Sequence, residues 1–290
     1  MRLHLIDGTY ELFRAHFSKR PDHQVGGKSV KATAGLLSSM LALLHEDAEA
    51  VTHVAIAFDH PIRSFRNDLF AGYKSDEGVP DDLRVQFGLA EAAARALGMT
   101  VWVMDRYEAD DALATGAARF ARSVDQVRLL SPDKDLGQCL RGEQVVLVKR
   151  VQEKVVNEAA LRADLGIAPQ SVPDYLALVG DAADGIPGLA GFGAKGASAL
   201  LGAYGHLEQI PREPSAWKVK LRGAAELAPR LQANFEDALL YRKLATLVTD
   251  VPLRESLADL KWPGVPRAEF EKFCDRMALT TLKSRPKRWV

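Results

Sequence analysis

Over roughly the first 150 residues, short apolar runs rich in β-branched side chains alternate with longer alanine- and leucine-rich stretches. The runs Leu3–Ile6, His53–Phe58, Val101–Met104, Val127–Leu130 and Val145–Val148 are each bounded by polar or turn-forming residues, which predicts strands. Between them, Ala32–Leu44 and Glu91–Leu97 repeat apolar positions at helical spacing and predict amphipathic helices. That alternation implies an α/β fold: a mainly parallel central sheet flanked by helices. Beyond about residue 157 the strand signal fades, and helical segments punctuated by Gly and Pro take over, notably Gly180–Gly196 and Pro211–Pro214. We therefore expect an α/β region at residues 1–165 and a helical region at residues 166–290. The last residues, Lys283–Val290, carry four basic side chains and Pro286 and are expected to be a solvated terminus rather than a phosphate-touching tail.

Composition adds limits. With 290 residues, 47% of them apolar, the chain can bury a sizeable core. The stretch Met-Arg-Leu-His-Leu-Ile meets Asp7 at once, leaving no apolar span for a signal peptide or membrane helix, so a cytoplasmic protein without a membrane partner is expected. Cys139 and Cys274 have no metal-ligand spacing and read as buried thiols. Net charge is zero, 38 basic against 38 acidic residues, which by itself does not suggest a polyanionic partner. If nine of those acids cluster on cations, 29 remain against the 38 bases, a surplus that suits a DNA track.

Seven of those nine are conspicuous by position. Asp7 follows the first strand, Asp59 the second, Glu108, Asp110 and Asp111 the third, and Asp133 and Asp135 the fourth. In a parallel sheet all these ends share one edge, where open α/β folds build their sites. A lone Asp after a strand is usually a helix cap or turn residue, and an acid-rich first turn complements a helix dipole; so many in succession exceed what capping requires. Crowded carboxylates need compensating cations. An all-oxygen donor set without clustered His or Cys favours Mg²⁺ or Mn²⁺ over zinc.

The segment from Val179 to Gly196 adds Asp181 and Asp184, followed by Gly188, Gly191, Gly193 and Lys195. Gly191-Phe-Gly-Ala-Lys-Gly196 formally fits a dinucleotide fingerprint. That fingerprint needs a strand before it, whereas here helical segments flank it, so no nucleotide cofactor is expected. A short hairpin between two helices, whose glycines let backbone N–H groups approach a phosphate, fits better. Such a device grips a DNA backbone without reading bases.

Together these segments resemble the 5′-nuclease family, in particular the 5′-nuclease domain of bacterial DNA polymerase I and its stand-alone relatives. The resemblance runs from Asp7 to roughly Leu253. It is carried by Leu5-Ile6-Asp7-Gly8 with Phe13-Arg14, Ala57-Phe58-Asp59, Ser64-Phe65-Arg66 with Tyr73-Lys74, Tyr107-Glu108-Ala109-Asp110-Asp111, Ser131-Pro132-Asp133-Lys134-Asp135-Leu136, and Gly180-Asp181-Ala182-Ala183-Asp184-Gly185-Ile186-Pro187-Gly188. It implies a PIN-like nuclease fold with a helix-hairpin-helix and two divalent ions, Mg²⁺ or Mn²⁺, on Asp7, Asp59, Glu108, Asp110, Asp111, Asp133, Asp135, Asp181 and Asp184. Lys74 and Arg66 would meet the scissile phosphate from a helical arch near residues 64–90. Arg14, Tyr73, Gly188, Gly191, Gly193 and Lys195 would hold DNA, with a monovalent cation such as K⁺ at the hairpin. The implied activity is structure-specific 5′-3′ exonuclease or 5′-flap endonuclease cleavage in DNA replication and repair, by a monomer acting on a flap, nick, gap or 5′ end. One departure stands out: Tyr73-Lys74-Ser75-Asp76-Glu77 places an acid where many relatives carry an arginine, which bears on how the arch handles a 5′ single strand. The alternatives are a related metal-dependent ribonuclease, which should lack the helical hairpin, and a non-catalytic DNA-structure binder, which should have lost metal carboxylates. A dinucleotide-dependent oxidoreductase ranks below both.

Overall fold

The computed structural model describes all of residues 1–290. In chain order the elements begin with β1 (Arg2–Asp7), α1 (Gly8–His16), the small strands β2 (Gln24–Val25) and β3 (Lys28–Ser29), α2 (Lys31–Leu44), β4 (His53–Asp59), and the short helices α3 (Arg66–Leu69) and α4 (Asp81–Arg84). Then come α5 (Phe87–Ala96), β5 (Thr100–Met104), α6 (Ala109–Phe120), β6 (Gln126–Leu130), β7 (Val145–Lys149) and β8 (Lys154–Val156). The remainder is helical: α7 (Glu158–Leu165), α8 (Val172–Val179), α9 (Ala194–Tyr204), α10 (Ala224–Ala233), α11 (Phe235–Ala245) and α12 (Arg267–Arg276). All five expected strands and both expected helices are present within a few residues of their expected ends. The pair β2–β3 and the strand β8 were not anticipated.

The chain forms two compact units, each discontinuous in sequence: Met1–Arg63 with Asp76–Ser131 and Thr249–Val290, and Ser64–Ser75 with Pro132–Val248. In the first, four strands lie in the order β5-β4-β1-β6 and all pair in parallel. Leu3, Leu5, Ile6, Val54, Ile56 and Phe58 are buried in β1 and β4. This explains their nearly unbroken apolar runs: a parallel strand covered on both faces has no solvent side to alternate with. Helix α6 packs on β1 and β4, while α1 and α5 pack on the sheet and both pack against α2. The tail is largely solvated, as expected: Ser284, Arg285, Lys287, Arg288 and Val290 are exposed. Trp289 packs against Phe270 and under the Arg267 guanidinium, with ring-to-ring and cation-to-ring separations of 5.9 and 4.3 Å. Val265 N donates to Arg288 O and Val265 O accepts from Val290 N, so these bonds and the half-buried tryptophan anchor the end of a tail whose basic side chains are mostly exposed.

The second unit holds β7 and β8, an antiparallel pair, and the helices α7 to α11. Helix α8 packs between α9 and α11. Asp174, buried in α8, accepts from His206 Nδ1 at 2.8 Å and from Arg242 at 3.0 Å, and Arg242 also grips Glu208. This network ties α8 to α11 and to the turn after α9. No helix of the chain is long and apolar enough to cross a membrane.

Candidate metal centre

In the first unit the carboxylates stand at the carboxyl ends of neighbouring parallel strands, as the pattern anticipated. Asp7 ends β1 and Asp59 ends β4; the register pairs Asp7 with Ala57 and Asp59 with Met104, the last residue of β5. Gly8 lets α1 start directly against β4: a Cβ there would lie 2.6 Å from the Phe58 ring and 2.8 Å from the Ala57 carbonyl. These acids also hold backbone. Asp7 Oδ1 accepts from Tyr10 N at 2.8 Å, capping α1, and Oδ2 accepts from Ser131 Oγ at 3.0 Å. Asp59 Oδ1 accepts from Ala109 N at 2.7 Å, fastening the start of α6 to the end of β4. Asp111 Oδ2 accepts from Glu108 N at 3.0 Å as half of a capping box, with both residues buried. Capping therefore accounts for part of the acid run and fixes the orientation of these carboxylates. Asp110, beside them, is half-buried.

In the second unit Asp135, Asp181 and Asp184 are all buried, and carboxylate oxygens from the three lie within 4.8 Å of one another. Asp133 joins them through its Oδ1, which accepts from Asp135 N at 2.8 Å. Two loops deliver the cluster. Asp135 opens a 3₁₀ turn, Asp135–Cys139. Asp181 and Ile186 exchange both backbone hydrogen bonds at 2.8 Å, closing a tight loop that carries Asp184. Burial, and then the charges of Asp133, Asp184 and Asp181, hold the Asp135 carboxyl well above the ordinary range, with Lys74 only partly offsetting them. Its Oδ1 is buried with no hydrogen-bond partner. A buried acceptor left over in an all-oxygen cluster is what a hard divalent cation would complete. The donor set thus fits such an ion.

Two lysines accompany the cluster: Lys74 Nζ is 2.9 Å from Asp184 Oδ1, and Lys134 Nζ is 2.7 Å from Asp181 Oδ2. Lys74 is held there by its own backbone, whose N–H donates to Asp184 O at 3.0 Å, and its ammonium lies over the Tyr73 ring at 5.7 Å. Tyr73 itself is buried. Arg66, expected at the phosphate, is only 1% exposed. Its guanidinium donates to the carbonyls of Leu244 at 2.7 Å and Thr246 at 3.0 Å, at the end of α11. Those contacts assign it the work of packing and positioning the Ser64–Ser75 segment, because a guanidinium spent on buried carbonyls is not presented to a substrate. Arg14, half-buried, donates to Glu11 and to Ser39 Oγ. Glu77 is exposed. Lys134 is a cation the sequence pattern does not single out; its place between Asp133 and Asp135 is the signal for it.

The glycine-rich segment lies between α8 and α9, with no strand before it, which removes the dinucleotide reading. Gly188 has φ +70°, and a Cβ there would sit 2.4 Å from the backbone N of Gly180. Gly191 also has positive φ, whereas Gly193 precedes α9 with open space around its Cβ position. Lys195 is exposed in the first turn of α9.

A resolvase-like α/β domain followed by a helical fold with a helix-hairpin-helix, both bearing acids at loop ends, defines a nuclease class. The family model described as 5′-3′ exonuclease, N-terminal resolvase-like domain, matches residues 2–166, and that of the 5′-3′ exonuclease, C-terminal SAM fold, matches residues 167–268. The chain belongs to the 5′-3′ exonuclease family. A 5′-3′ exonuclease of Aquifex aeolicus is 32% identical over 283 residues, covering 97% of this chain and 93% of that protein. DNA polymerase I of Pseudomonas aeruginosa is 34% identical over 274 residues, covering 91% of this chain; the chain spans only 29% of that relative's length. Among solved structures, the T5 D15 protein co-crystallised with metal ions has a TM-score of 0.66 at 17% identity, covering 96% of this chain and 99% of that one. At that identity the likeness concerns the fold.

Proposed function

We propose that this protein hydrolyses DNA phosphodiester bonds from a 5′ end or at a 5′ flap, nick or gap, as a monomer in the bacterial cytosol. Divalent ions, two Mg²⁺ or Mn²⁺, would be held by Asp7, Asp59, Glu108, Asp110 and Asp111 of the first unit and by Asp133, Asp135, Asp181 and Asp184 of the second. The observation that carries the reading is the buried trio of Asp135, Asp181 and Asp184 with an acceptor left over, in a chain matched by both domains of a nuclease family. Membership of that family and bacterial relatives support DNA as substrate and the cytosol as location.

When bound, such ions lower the pKa of a coordinated water and stabilise a leaving oxygen. The chain's own residues do the rest. The carboxylates fix positions and carry charge. Lys74, whose Nζ already stands 2.9 Å from Asp184, is placed to neutralise charge on phosphoryl oxygens. Arg66 positions the segment that bears Lys74. The hairpin around Gly188, Gly191 and Gly193 would offer backbone N–H groups to a duplex phosphate, with Lys195 and Arg14 adding charge, Tyr73 as backing for Lys74, and a K⁺ ion as a further bridge. Product mapping tests the reading: 5′-labelled flap, nicked and blunt duplexes are incubated with Mg²⁺ or Mn²⁺. Release of labelled 5′ fragments or mononucleotides is expected; absence of cutting on all three, with DNA still bound, would leave a DNA-structure binder instead.

A further inference from the structure

The Asp-Lys-Asp run puts a cation inside the acid cluster itself. Lys134 precedes the 3₁₀ turn that presents Asp135, and its Nζ reaches across to Asp181 Oδ2 at 2.7 Å. Asp181 has little freedom: its side chain is 6% exposed, and Oδ1 already accepts from Ala183 N at 3.0 Å. Oδ2, the oxygen Lys134 takes, is therefore the one on which a bound ion would also draw. The lysine is differently placed, with its side chain 49% exposed, so it can withdraw into water at little loss. Lys74, by contrast, is fixed through its backbone at Asp184.

We propose that Lys134 is a tethered counter-ion of the Asp135, Asp181 and Asp184 cluster: it occupies Asp181 without a divalent ion and leaves when one binds, so that it sets how tightly the cluster loads. This rests on the reading that the cluster binds divalent ions. A compact ammonium on a flexible stem suits the task, since it supplies one charge on a retractable arm. A divalent ion brings twice the charge at shorter range and displaces it. The lysine keeps the empty cluster folded and makes each loading event a replacement rather than an addition. Lys134 is thus a positioning residue that acts through the ligands.

The test is isothermal titration of Mn²⁺, without DNA, into the full chain and its Lys134→Met and Lys134→Arg variants, with unfolding in chelator measured alongside. The isotherm component lost in Asp181→Asn identifies the cluster. Lys134→Met is expected to bind Mn²⁺ there roughly 3- to 10-fold more tightly and to unfold at lower temperature in chelator, while Lys134→Arg stays close to the parent. Equal or weaker Mn²⁺ binding by Lys134→Met, with the component still present, overturns the inference alone. No such component in the parent overturns the metal reading beneath it.

Discussion

Asp135 is buried beside Asp133, Asp181 and Asp184, and that crowding gives the residue an unusual linkage between pH and stability. Its carboxyl is raised in the folded state, so the folded chain holds the proton more firmly than the unfolded one. The sign follows: in chelator this residue favours folding at low pH, and the advantage is lost as pH rises above the unfolded value toward the raised one. Asp135→Asn should therefore raise Tm in chelator by roughly 2–4 °C, the shift about 1 kcal/mol gives a chain of this size, and should diminish the gain on adding Mn²⁺. A lower Tm in chelator would contradict the crowding. Away from the centre, Glu49 accepts from His4 Nε2 at 2.8 Å and pairs with Arg128. The His4 hydrogen bond, followed by the Arg128 charge against the opposing effect of burial, brings its pKa down to about 2. Burial pushes the His4 imidazole down as well, against the raising effect of Glu49. A depressed acid stabilises the fold above its unfolded pKa and loses that contribution as pH falls through the folded one. Thermal melts of Glu49→Gln should thus show a shallower loss of stability between about pH 4.5 and 2 than the parent; parallel curves would refute the assignment.

At the scale of elements, the hairpin between α8 and α9 depends on backbone conformations that only glycine adopts without strain. Gly188→Ala would force a Cβ onto the backbone of Gly180 and Val179 at a φ of +70°, and should cost about 2–4 kcal/mol and weaken duplex binding. Gly193→Ala meets nothing within 4 Å and should leave melting unchanged. If both variants melt like the parent, the hairpin is not held as described. The strands were legible because a two-sided parallel sheet writes unbroken apolar runs, as in His53–Phe58. The three residues of β8 were not, because Lys154 and Val155 are exposed and carry no periodic signal. The tail was legible as solvated from its four basic side chains, three of which are exposed, whereas the contact of Trp289 with Phe270 that anchors it carried no periodic signal. Asp135 was legible as an acid after the fourth strand, and Asp181 and Asp184 through the resemblance of the segment that carries them. The burial of Arg66 on the carbonyls of Leu244 and Thr246 was not, since sequence spacing does not say which of two nearby cations faces inward.

For the whole molecule, a net charge of zero conceals a division of labour. On the proposed reading, acids gathered at strand and loop ends would leave basic side chains in excess elsewhere, so a polyanion would be gripped by the surplus while the acids met its phosphate only through cations. Hydrolysis should then depend on divalent ions, and binding should not. The direct measurement is Mg²⁺-dependent cleavage of a 5′-flap duplex by the parent chain and by Asp7→Ala and Asp133→Ala, with binding to the same duplex measured in parallel. Cutting by the parent that stops in chelator, and is reduced at least about 100-fold in either variant while the duplex is still bound, is the predicted result. Near-parental cutting by both variants, or by the parent in chelator, would contradict the account.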